Sequence, residues 1–126
     1  ETVKYDKEEI TKVLELLMGL YAYREDGSNL NKVYKKYNED NLYSLIPYLV
    51  YYFKQNNYSK AREYLDKIKK YNKHFKGLFD SISKDELLED AIAHEKSEVK
   101  HVAADLAFLL DTVPTLEVFV KNNGKI

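Results

Sequence analysis

The chain has 126 residues, 20 of them basic and 21 acidic, with 44% hydrophobic side chains and no cysteine; that is long enough to bury one core without crosslinks. The missing cysteine excludes disulfides, thiolate zinc sites, iron–sulfur clusters and a cysteine nucleophile. A net charge of −1 argues against a globally basic nucleic-acid binder or a polybasic membrane module.

The longest mainly apolar run, residues 42–53, contains Ser44 and Pro47 and is too short to span a bilayer. A soluble protein without a membrane span is expected, as one domain over residues 1–126. The start at Glu1 rather than Met reads as a processed product or an excised piece from which any leader would already have gone, and the compartment stays open between cytoplasm and export.

Four Gly and two Pro give little punctuation, and the apolar residues between them recur at helical spacing, which predicts an all-α chain of five to six helices. Asp6 with Glu9 makes a capping box before a first helix whose stripe is Ile10, Val13, Leu14, Leu17, Leu20 and Tyr21. It should end at Glu25-Asp26-Gly27-Ser28, with Gly27 in the left-handed C-terminal position. Residues 29–37 form a short second helix with Leu30, Val33, Tyr34 and Tyr37 inward, and residues 38–41 break it. Residues 42–55 are apolar on nearly every side; Pro47 fits a first turn best, which places the true start between Asn41 and Ile46.

Past an Asn56-Asn57 turn, residues 58–73 carry Ala61, Tyr64, Leu65, Ile68 and Tyr71 on one face and Lys60, Lys67 and Lys70 outside. Glu63 with Lys67 and Asp66 with Lys70 are supporting i,i+4 pairs. A second capping box, Ser83 with Glu86, opens the longest helix, residues 83–111, whose stripe includes Leu87, Leu88, Ala91, Ile92, Val99, Val102, Ala103, Leu106, Leu109 and Leu110. Its polar stretch, residues 94–100, is where a bend would fall. Pro114 begins a last helix through Val120, closed by Asn122-Asn123-Gly124.

Composition divides the chain where the helices do not. All 12 Tyr lie between Tyr5 and Tyr71, and the net charge is −3 over residues 1–30, +6 over 31–80 and −4 over 81–126. Two binding faces, or complementary helices packing on each other, would both give this pattern.

Within residues 45–68, two helices joined by a polar turn place Leu45, Tyr48, Leu49, Tyr52, Tyr58, Ala61, Leu65 and Ile68 at intervals that resemble one tetratricopeptide repeat. Large residues of the first helix would pack around the small Ala61 of the second. The pattern departs from the family's at Leu49, Asn56, Ile68 and Lys73, where a small residue, a turn glycine, a second small residue and a proline belong. The resemblance implies a right-handed stack of antiparallel hairpins, with the long C-terminal helix as its cap. It also implies a ligand groove on the first helix of the pair, lined by Tyr43, Ile46, Val50, Phe53 and Lys54, with Tyr43 and Phe53 as anchoring contacts. The alternative is that another helix of the same chain covers these residues.

His94, Glu98 and His101 share one helix face, and Glu98 with His101 matches the Glu-x-x-His element of di-iron carboxylate bundles, with Asp90 or Asp105 one turn away. The chain holds no second such element, a solvated charged face is the simpler reading, and no metal or cofactor is expected. The basic middle interleaves Lys32, Lys35, Lys36, Lys60, Lys67, Lys69, Lys70, Lys73 and Lys76 with Tyr34, Tyr37, Tyr64 and Tyr71, yet shows no nucleic-acid module. With no phosphate loop, nucleophile elbow or His beside a nucleophile, an enzyme is not expected. The sequence points to a non-catalytic protein or peptide interaction module acting through a Tyr-rich apolar helical surface. The alternative is a small helical regulatory or immunity-type protein that meets nucleic acid or a toxin partner through its basic middle.

Overall fold

Short polar side chains decide where the helices begin. In the computed structural model, which describes residues 7–73, 75 and 93–125, Asp26, Asn41 and Asn57 each accept a hydrogen bond from the backbone N–H three residues on. Each satisfies a donor that a first helical turn otherwise leaves open. The caps separate α1 (Lys7–Tyr23), α2 (Gly27–Tyr37), α3 (Leu42–Lys54) and α4 (Tyr58–Tyr71). The reversals between these helices use left-handed backbone at Glu25, Asn38 and Asn56, and asparagine tolerates that region better than most side chains. The C-terminal part adds α5 (Ala93–Asp105), α6 (Ala107–Leu110) and α7 (Thr115–Lys121). Every regular element among the described residues is a helix, as the spacing predicts.

α1 packs on α2 and α3, and α3 packs on α4, so α3 stands at the centre. Apart from Tyr43, its residues from Leu42 to Val50 are buried. Ala61, Leu65 and Ile68 of α4 meet the same apolar cluster, and Val99, Val102, Leu106, Leu109, Leu116 and Phe119 complete it from the C-terminal side. Pro47 lies inside α3 and leaves the Tyr43 carbonyl without its helical donor. The start of α3 is fixed independently by a reciprocal capping box, in which Asn41 and Ser44 bond each other's backbone N–H. No helix among the described residues is long and apolar enough to cross a membrane.

Several expectations are corrected. Gly27 opens α2 instead of closing α1, and Glu25 takes the left-handed position. What Gly27 provides is room: a Cβ there would collide with the Tyr51 phenol. The inward face of α1 is Met18, Gly19 and Ala22, backed by Leu14, Leu17 and Tyr21, whereas Ile10, Val13 and Leu20 face outward. α4 stops at Tyr71, which is exposed, and Glu63 pairs with Lys60 at 3.4 Å while the Lys67 ammonium sits 4.6 Å above the Tyr64 ring. The C-terminal helix is interrupted at Leu106, between α5 and α6, and not in its polar stretch. Leu106 is fully buried, and a Cβ on Gly19 would lie 2.8 Å from its Cδ2, so the interruption falls where a large side chain seats on the α1 backbone. The Asp6 capping box and the expected helix start at Ser83 lie outside the described residues. The last helix ends as read, with Asn123 and Gly124 both left-handed and the Gly124 N–H donating to the Phe119 carbonyl at 2.8 Å.

Candidate interaction surfaces

The face of α3 expected to line a groove meets other helices of the same chain, α1 among them. Ile46 and Val50 have no exposed surface and belong to the core. Tyr43 is half-buried and its hydroxyl donates to Asp105 at the end of α5. Burial first, and that carboxylate second, push the Tyr43 phenol well above its ordinary value. The Phe53 ring lies 5.2 Å from Phe119 of α7 and 5.6 Å from Tyr58. Lys54 donates to the Tyr23 carbonyl at 3.2 Å and its ammonium lies 5.2 Å from the centre of that ring. Helical periodicity puts these five residues on one side of α3, but it carries no information on which distant segment packs there.

Most of the tyrosines are internal fasteners. Tyr48, Tyr52 and Tyr64 stack on one another with centroids 5.1 to 6.3 Å apart, and Tyr34 meets Tyr48 edge-on at 5.5 Å. Three tyrosine hydroxyls are tied as well. Tyr48 donates to Asn31 at 2.5 Å, Tyr34 to Asp40, and Tyr37 to Glu15 at 2.7 Å. The bond to Asp40, followed by burial, raises the Tyr34 phenol to about 12. Burial, partly offset by the Tyr37 hydrogen bond, raises the Glu15 carboxyl above its usual range.

One described surface is apolar and open. Ile10, Val13, Leu16, Leu20 and Tyr23 of α1 are 42 to 54% exposed, and their spacing keeps them on the outer side of the helix, opposite Met18 and Ala22. Phe108 of α6, itself 40% exposed, extends the stripe at the Tyr23 end, the two rings being 6.0 Å apart. α1 therefore carries two apolar stripes that the sequence reading merged into one. The missed signal is Leu16, three residues after Val13 and four before Leu20, which continues the outer stripe. A second, smaller feature is a cavity of about 410 Å³ between α7 and the α3–α4 turn, lined by Phe53, Tyr58, Val118 and Phe119 among others.

The described residues hold no cluster of metal-ligating side chains. Glu98 accepts a hydrogen bond from Tyr71 at 2.9 Å and His101 is exposed; the His94 side chain lies outside the described set. The lysines of the middle segment spread over two helices, on α2 at Lys32, Lys35 and Lys36 and on α4 at Lys60, Lys67, Lys69 and Lys70. Lys69 is engaged with Asn123 at 2.8 Å. No protein-family model matches the chain, and no curated protein or solved structure matches it either.

Proposed function

We propose that the chain is a non-catalytic helical interaction module whose docking face is the outer stripe of α1, with Phe108 at its edge. The observation that carries this reading is the row of five large apolar side chains about half exposed along one helix face. Contiguous apolar surface of this kind costs solubility and marks contact sites in folded proteins. Supporting it, the helix order α1–α2 then α3–α4, with α1 against α3, is the hairpin arrangement that repeat-type scaffolds use to present a helix face. The Tyr-rich segment serves as scaffold in this reading, since its rings pack on one another and the Tyr34, Tyr37 and Tyr48 hydroxyls bond polar side chains of the same chain. A partner reached through the basic middle would instead weaken steeply with salt, whereas an apolar helix face would not.

A photo-crosslinking side chain placed at Val13 tests the reading, with the same group at Lys36 on α2 as control. A discrete protein adduct is expected at Val13, lost when Leu16 is replaced by Glu and absent at Lys36. Identical diffuse products from both positions would contradict it.

A further inference from the structure

Granted that the outer stripe of α1 is a docking face, we infer that its occupant is α1 of a second copy, packed antiparallel about a two-fold axis near Leu16. The stripe is nearly palindromic. Reversed about the point between Leu16 and Leu17, Ile10 falls opposite Tyr23 and Val13 opposite Leu20, while Leu16 lies beside the axis and meets the half-buried Leu17. Large apolar residues thus face large apolar residues at every level, over roughly 20 Å of helix.

Charge sets the direction. Glu9 and Arg24 are both exposed and stand just beyond the two ends of the stripe, and the Arg24 N–H still donates to the Leu20 carbonyl at 3.0 Å. At about 100° per residue both project on the side of the stripe. The antiparallel register that matches Ile10 with Tyr23 brings Glu9 to Arg24 of the second copy, twice. A parallel register would set Glu9 against Glu9 and Arg24 against Arg24. A self-complementary patch of this kind is what an isologous dimer requires, and the tilted Tyr23–Phe108 pair receives Ile10 of the second copy.

Sedimentation velocity over protein concentrations from ~1 µM to ~1 mM, a span matched to weak association, tests the pairing. A concentration-dependent dimer is expected. The Glu9→Arg and Arg24→Glu variants, each turning two attractions into repulsions, should weaken it by roughly tenfold. The Glu9→Arg/Arg24→Glu double variant should recover wild-type association, and loss in both single variants with recovery in the double is a pattern that neither a parallel pair nor a dimer through another face gives. Circular dichroism on each variant confirms that the fold is kept. A chain that stays monomeric throughout, or a dimer indifferent to both single swaps, overturns the pairing. If the Val13 crosslinker then captures a different protein, the docking face stands without the dimer; if it captures nothing specific, both fall.

Discussion

α1 and α3 are each apolar around much of their circumference, yet they end in different surroundings. α3 is enclosed by α1, α4 and the C-terminal helices, and eight of its 13 residues are buried. α1 buries Met18, Gly19 and Ala22 on one side and leaves Leu16, Val13 and Tyr23 in water on the other. Hydrophobicity all round a helix states how much surface needs cover; the number of neighbouring elements decides how much gets it. In α3 the cover is internal; for α1 we propose that it comes from a second chain.

The contrast breaks most visibly in stability. Ile46→Ala in α3 should cost about 2–5 kcal/mol in urea unfolding, the range for deleting a buried branched side chain, whereas Leu16→Ala should stay within ~0.5 kcal/mol. Equal losses at the two sites would erase the distinction. The inner side of α1 is sharper still as a packing probe. Gly19→Ala should destabilise by roughly 1–3 kcal/mol, because the new methyl meets Leu106 Cδ2 at 2.8 Å and Phe108 at 3.2 Å. A neutral result would mean that α6 does not press on α1.

Titration gives smaller effects of known sign. The folded-state pKa of Glu15 is raised, chiefly by burial, so its favourable contribution is complete below the unfolded value and disappears as pH rises through the folded one. Glu15→Gln, whose amide oxygen can still accept from Tyr37, should therefore gain stability relative to the parent above that pH and match it below. The phenols act at the alkaline end. Tyr34 and Tyr71 are both raised to about 12, the first mainly by its bond to Asp40 and the second mainly by burial. Stability they provide below pH 10 should fall as pH climbs through 12, and Tyr34→Phe should flatten part of that slope in unfolding curves measured against pH.

Local chemistry was legible and long-range cover was not. The Asn56-Asn57 turn, the ending at Asn122-Asn123-Gly124, and the inward set Leu30, Val33, Ala61, Leu65 and Ile68 all depend on residues a few positions apart, and the structure places them as read. Two failures share one cause. The groove read at Ile46 and Val50 is core, and its other residues, Tyr43, Phe53 and Lys54, meet Asp105, Phe119 and Tyr23 from distant parts of the chain. The single stripe of Ile10, Val13, Leu14, Leu17, Leu20 and Tyr21 mixes two apolar faces of α1, because periodicity cannot choose between them when both repeat at helical spacing. Gly27 failed differently: a glycine next to a helix end suggested a cap, but the Tyr51 ring that requires it comes from another helix.

The outer stripe of α1 stands outside the chain's own core. Equilibrium urea unfolding of the Val13→Gln/Leu16→Gln/Leu20→Gln variant, run at low protein concentration so that association does not contribute, tests it most directly. Glutamine keeps helix propensity close to that of leucine, so stability within ~1 kcal/mol of the parent is expected. A loss comparable to that of Ile46→Ala would contradict it, placing the stripe inside the fold and leaving α1 without a face for a partner.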